Sequence, residues 1–156
     1  MDIVVGEGAV LVHLGPGEDL HDAVYEAFER SDREFPVIAS CIGSLSRLDY
    51  GLAACDESGV PGPGLRFLRE DDAIEIGGIH GHVGLDSDDR PSAHLHGVMF
   101  GRDGSPIGGH IFSATVLITI EFALLGRDGP MWRRVHRPVS GSPPLPLLVP
   151  EPRGAR

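Results

Sequence analysis

Apolar residues along this chain recur with two different periods. From Asp19 to about Arg30, Leu20, Ala23, Val24, Ala27 and Phe28 fall at helical spacing and make one stripe, which predicts a helix that covers a sheet. Gly15-Pro16-Gly17 reads as the turn before it, and Glu18-Asp19 supplies the acidic start that the positive end of a helix dipole favours. Asp22, Glu26, Glu29 and Arg30 then form its solvated face. Elsewhere the pattern is alternation or short apolar runs, which predicts strands at Ala9 to Leu14, Pro36 to Ile42, Arg47 to Ala54, Leu65 to Leu68, Ala73 to Val83, Ala93 to Phe100 and Ile111 to Leu125. Gly43-Ser44, Glu57 to Gly64 and Asp86 to Arg90 are the expected breaks, the second reading as a loop or hairpin tip. One helix among about seven strands predicts an α+β domain with a mainly antiparallel sheet over residues 1–126.

The pattern changes after Gly126. Seven of the 13 prolines fall in residues 127–156, and Pro143-Pro144-Leu145-Pro146 can neither continue a helix nor donate to a central strand. This segment is expected to be an extended tail or to pack on a neighbouring subunit.

Composition narrows the function classes. A chain of 156 residues with 41% apolar residues suits one globular domain with a proper core. The longest apolar run, Val116 to Leu125, is broken by Thr119 and Glu121 and is too short to span a bilayer. No basic, apolar signal opens the chain, so no membrane partner and a cytoplasmic location are expected. Cys41 and Cys55 lack any metal-ligand spacing and read as small buried thiols. All 13 basic residues are arginines, which excludes a lysine Schiff base and a phosphate-loop lysine. Residues 1–126 carry 7 arginines against 21 acidic residues, a net of −14, whereas residues 127–156 carry a net of +4. The folded part should repel a polyanion. Arg133-Arg134 with His136-Arg137 is the one small basic patch, of a kind more often an inter-subunit clamp.

The candidate chemistry lies in His94-Leu95-His96 and in His110 after Gly108-Gly109. On a strand His94 and His96 point to one face. Asp103-Gly104-Ser105 reads as a three-residue hairpin loop, which places His110 opposite Val98 on that same face. A bulge at Gly108-Gly109 would reset the parity. Three neutral imidazoles meeting at one point, with a position left open, form a first shell for zinc or a similar divalent ion. The alternative is a half-exposed sheet face on which His110 merely caps a turn.

Taken in order, Gly17-Glu18-Asp19-Leu20, Ile42-Gly43-Ser44-Leu45-Ser46-Arg47, Glu75-Ile76 with Gly81, His94-Leu95-His96-Gly97, Arg102-Asp103-Gly104 and Gly108-Gly109-His110 resemble the PPC (plants and prokaryotes conserved) domain, also called DUF296. The match runs over roughly residues 9–126. The resemblance implies a PPC-like fold assembled as a homotrimer and a metal ion on His94, His96 and His110, most simply zinc. In the plant branch the domain follows an AT-hook and serves DNA-binding regulators. Here no Arg-Gly-Arg-Pro occurs, and nothing is expected to precede the domain to carry one. The sequence also departs from the family at His80-Gly81-His82, where Ser-Gly-Asn is usual. The two extra imidazoles would line a pocket, shuttle protons, or lie exposed on a glycine-rich edge.

Three functions follow as expectations. The first is a trimer with a metal-centred small-molecule site, possible as a lyase or hydrolase for hydration, dehydration or hydrolysis, with Glu75 as the best general base, His82 second, and Arg47 holding an anionic substrate. The second is a DNA-binding regulator, for which the charge is wrong. The third is a non-catalytic scaffold with a structural metal.

Overall fold

The computed structural model describes residues 1–55, 61–126, 129–139 and 142–152. Its order is β1 (Asp2–Val5), β2 (Ala9–Leu14), α1 (Leu20–Arg30), β3 (Val37–Cys55), β4 (Pro61–Glu70), β5 (Ile74–Leu85), β6 (Pro91–Phe100), β7 (Pro106–Leu125), β8 (Met131–Val139) and β9 (Ser142–Glu151). The expectation of one helix and a largely antiparallel sheet holds, with nine strands described instead of about seven. β1, β8 and β9 are additional, and two expected strands are one. Gly43-Ser44 does not end the chain's extended run. It bends β3 at bulges between Gly43 and Leu45 and between Leu45 and Arg47. Gly43 is required there because its φ is +133° and a Cβ would meet the Thr119 carbonyl at 2.1 Å. Of the expected loop Glu57 to Gly64, residues 57–60 lie outside the described residues and 61–64 belong to β4.

α1 forms where its stripe predicts. Asp19 caps it, its carboxylate accepting from the backbone N–H of His21 at 2.7 Å and of Asp22 at 3.2 Å, an arrangement worth about 1 kcal/mol. Leu20, Ala23, Val24, Ala27 and Phe28 are all buried, and the helix packs on β2, β5, β6 and β7. The sheet side of this core comes from Leu14, Leu45, Leu48, Ile79, Leu95, Met99 and Ile111. Each such side chain contributes about 1.5–3 kcal/mol by leaving water. Cys41 is a buried free thiol, and burial pushes its pKa up to about 12. The side chain of Cys55 lies outside the described residues.

The pairings β3·β5, β5·β6, β6·β7 and β7·β3 make a closed cycle. Along β6 the alternation is strict: Ala93, Leu95, Gly97 and Met99 are buried, whereas His94 is half-buried and His96, Val98 and Phe100 are exposed. The histidines therefore stand on the face opposite the core. A single carboxylate ties the far part of β3 to its neighbours. Buried Asp49 accepts from Arg69 at 2.5 Å, Ser113 Oγ at 3.0 Å and Arg47 at 3.3 Å.

β8 and β9 pair antiparallel as a hairpin, attached to the end of β5 by the parallel pair Leu85 and Arg133. β9 is the last strand of the sheet order, where missing donors are tolerated, and three of its four prolines, Pro144, Pro146 and Pro150, are spaced so that their absent N–H groups fall on one edge. Gly84 lets β8 approach closely, since a Cβ there would meet the Trp132 carbonyl at 2.1 Å.

Gly108 makes the tightest demand on the β6·β7 pairing, with φ +151° and a Cβ position 2.1 Å from the Gly97 carbonyl. Gly108→Ala should lower the urea unfolding free energy by about 2–3 kcal/mol, as overpacking against rigid backbone does. An unchanged midpoint and slope would show that the two strands can separate at no cost.

Candidate metal centre

His94 and His96 lie on β6 and His110 on β7, and the register pairs His96 with His110 directly. The odd parity expected from the turn is right, but the partner is not Val98, which pairs with Gly108. The loop is longer than the three residues expected. It closes from Gly101 N–H to the Ser105 carbonyl at 2.9 Å and from Gly104 N–H to the Gly101 carbonyl at 2.8 Å. Asp103 holds it from inside, accepting from Ser105 N–H at 2.9 Å and Ser105 Oγ at 2.6 Å. The two extra residues, Gly101 and Arg102, both lie on the N-terminal side of the expected loop, which keeps the face and moves the register by two, bringing His110 next to His96. No bulge interrupts β6·β7 at Gly108-Gly109.

The three rings converge. His94 Nε2 and His96 Nε2 are 3.1 Å apart, and ring centroids are 4.9 to 5.3 Å from one another. One ligand nitrogen from each lies within 4.8 Å of the others. A tetrahedral zinc with bonds of about 2.0–2.1 Å spaces its ligands by roughly 3.3 Å, so the set fits after closing by about an ångström. Among the described residues no carboxylate belongs to the group. The donor chemistry, all imidazole, suits zinc or a neighbouring transition ion and disfavours calcium or magnesium.

Burial is the main reason that the His94 and His110 imidazoles stay neutral, the form that ligates. His110 is pushed down to about 4 by loss of solvent, with His94, His96 and Arg134 adding like charge. His94 is lowered by burial first, then by His96 and Arg134. Phe112 packs edge-on to His110 at 4.8 Å and stacks on Phe67 at 5.1 Å, which makes that flank apolar. On the other side a cleft of about 580 Å³ opens beside His96, with Tyr50, Leu52, His80, Val98 and Ile107 in its wall.

The remaining expected residues are placed unequally. His82 pairs with His94 and His80 with His96 across β5·β6, so both extra imidazoles share the metal-site face. His82 is half-buried against Trp132, ring centroids 4.4 Å apart, and its Nδ1 is buried without a hydrogen-bond partner among the described residues. His80 is exposed at the cleft. Glu75 is exposed opposite Phe100, four residues along β6 from His96, roughly 13 Å away by strand rise. Arg47 pairs with Thr115, five residues along β7 from His110 and roughly 17 Å away by strand rise, and meets Asp49 at 3.3 Å and Asp71 at 3.8 Å. Within one chain the structure does not bring Glu75 or Arg47 to the histidines.

Sequence reasoning missed the contribution of β8. Arg133 and Arg134, read there as an inter-subunit clamp, clamp their own chain. Arg133 meets Asp89 at 2.9 Å and Glu151 at 2.7 Å. Arg134 donates to Ser92 Oγ and to the Ala93 carbonyl, both at 2.6 Å, next to His94. The doublet itself was the only signal, since nothing local announces which strand it reaches.

A neutral buried imidazole makes the metal-free fold acid-sensitive. The unfolded chain takes up a proton near the ordinary value of 6.5 and folded His110 only near 4, so stability is complete above about pH 6.5 and declines as pH falls toward 4. Thermal melts of metal-free protein should fall across that window, and less steeply for His110→Gln; superimposable profiles would contradict the burial argument.

The sequence pattern of the Plants and Prokaryotes Conserved (PCC) domain matches residues 2–125. No curated protein matches the chain. Among solved structures, a metal-containing protein from Archaeoglobus fulgidus is similar at 26% identity and TM-score 0.70, covering 94% of this chain and 96% of its own. A plant- and prokaryote-conserved (PPC) protein from Pyrococcus horikoshii shares 20% identity, with TM-score 0.69 and 94% coverage of both chains. A protein from Bacteroides thetaiotaomicron, provisionally named as DNA-binding, shares 16% identity, with TM-score 0.76 and 96% coverage of both. With the family pattern running from the first strand to the end of β7, this chain belongs to the Plants and Prokaryotes Conserved domain family.

Proposed function

We propose that this protein is a homotrimer in which His94, His96 and His110 hold a divalent cation, zinc first among candidates, at a site that binds a small molecule and catalyses its hydration, dehydration or hydrolysis. The observation that carries the reading is the convergence of three imidazole nitrogens with no carboxylate among them, beside a cleft. The metal-containing relative from Archaeoglobus fulgidus supports it. Three protein ligands leave one position open, the arrangement of catalytic rather than structural zinc. A bound zinc would supply Lewis acidity to a ligand oxygen at that position.

The chain's own residues supply the rest. His82, across from His94 with an unpartnered Nδ1, is the titratable group beside the triad that is placed to move a proton. Glu75 or Arg47 would act at such a centre only if contributed by another copy. A trimer is supported by apolar side chains left exposed around the site, Phe67 at 57%, Val98 at 55%, Phe100 at 40% and Phe112 at 39%, since an acidic chain gains most by covering such a patch. Metal analysis of protein purified without added ions should give about one equivalent of zinc per chain, and none for His96→Ala, with both sedimenting as three copies. Full metal content in the variant would remove the site, and a monomeric wild type would remove the assembly.

DNA binding is a weaker second reading, suggested by the provisional names of solved structures of the same fold from Bacteroides thetaiotaomicron and Ralstonia eutropha. At a formal net charge of −10 the chain lacks the basic footprint that neutralises phosphates. Neither AT-rich nor random duplex should be retarded by micromolar protein at low salt; salt-sensitive retardation would reverse the order of the two readings.

A further inference from the structure

Arg134 differs from several other arginines of the chain. Arg133 is matched by Asp89 and Glu151, Arg90 by Asp86 and Asp88, and Arg47 by Asp49 and Asp71. Among the described residues no carboxylate forms an ion pair with Arg134. Its acceptors are all neutral: Ser92 Oγ takes Nε–H at 2.6 Å, the Ala93 carbonyl takes one Nη2–H at 2.6 Å, and the Pro146 carbonyl takes one Nη1–H at 3.1 Å. A guanidinium has five N–H groups, so one on each terminal nitrogen is left over. The side chain is half-buried, and loss of solvent lowers its pKa. An acidic protein has therefore buried part of a positive charge with no carboxylate in ion-pair contact among the described residues and only the more distant attraction of Asp86, at a cost that a bound anion would offset.

Its position gives that charge a use. Ser92 and His94 are two residues apart on β6 and share a face, which puts the guanidinium on the order of 7 Å from the His94 ring. Its field reaches both His94 and His110. A divalent ion on three neutral imidazoles adds two positive charges to this one, inside a chain whose net charge is −10. The potential then attracts an anion at this point and repels it over the acidic remainder.

We propose that the small molecule bound at the metal centre is an oxyanion, a carboxylate or phosphate, with one oxygen toward the open metal position and another on the two free N–H groups of Arg134. The inference rests on the metal reading and sharpens it by naming the ligand's charge and the residue that selects it. It also makes the β8·β9 hairpin part of the site, because that hairpin delivers Arg134 to Ser92 and Trp132 to His82.

The test uses the full chain loaded with Co²⁺, whose visible spectrum reports ligands entering the open position. Acetate, inorganic phosphate and neutral imidazole are titrated into wild type, R134Q and R134K. R134Q should keep one equivalent of Co²⁺ and an unchanged imidazole affinity, while acetate and phosphate bind at least about tenfold more weakly, the loss expected for a charge-assisted fork. R134K retains the charge without the fork and should fall between them. Equal acetate affinity in wild type and R134Q overturns the proposal, as does a parallel weakening of acetate and imidazole, which would make Arg134 only a staple between β6 and β8. If R134Q does not fold, R134K decides by the same comparison of anion against imidazole, and wild-type anion affinity in it overturns the proposal. Failure of wild type to take up Co²⁺ removes the metal reading, and this inference with it.

Discussion

Close backbone approach between β5, β6 and β7 is the constraint on which the rest of the molecule depends. A Cβ at Gly81 would lie 2.1 Å from the His94 carbonyl, and one at Gly108 would lie 2.1 Å from the Gly97 carbonyl. At Gly97 it would meet Ile79 Cγ1 at 2.8 Å. Glycine at these points lets three strands run tightly side by side while the chain closes on itself through β3. Because directly paired residues share a face, the same pairings line up His82 with His94, His80 with His96, and His96 with His110. One packing condition thus produces both the core on the inner side and a field of imidazoles on the outer side.

Electrostatics then separate this field from the rest of the surface. The chain is acidic, and Arg47, Arg90 and Arg133 are each neutralised by carboxylates a few ångströms away. Among the described residues no carboxylate belongs to the histidine cluster, burial keeps the His94 and His110 imidazoles neutral, and Arg134 reaches them from the C-terminal hairpin. A site of neutral ligands next to an unmatched guanidinium is suited to a cation first and an anion second. Phe67 and Phe112 make one flank apolar, and the cleft beside His96 leaves the other open.

Much of the scaffold was legible because its signals are local. The helical stripe from Leu20 to Phe28, the alternation through Ala93 to Phe100 and the pairing of two histidines on one strand face each depend on residues within a few positions of one another. The parity of the turn before His110 was legible for the same reason. Its length was not, because the two extra loop residues are set by Asp103 accepting from Ser105 and by where Gly108 can pass the Gly97 carbonyl. The break expected at Gly43-Ser44 was a bend, since a glycine at positive φ inside a bulge and a glycine ending a strand look alike without the partner strand. The proline-rich segment gave no sign of the hairpin it forms, because an outermost strand tolerates prolines that would disqualify an inner one.

The amino-acid sequence alone therefore determined the one helix and the strands between Ala9 and Leu125, the absence of lysine chemistry, the acidic charge and the candidate ligands His94, His96 and His110, all of which follow from composition, period and short spacings. Only the tertiary structure decided that His96 faces His110, that His80 and His82 join the same face, that Glu75 and Arg47 stand strands' lengths away, and that Arg134 arrives from 40 residues further along the chain than His94. The physical reason is that a side chain's neighbours across a sheet are set by register and by which backbones can touch, and both are properties of paired strands rather than of any one segment.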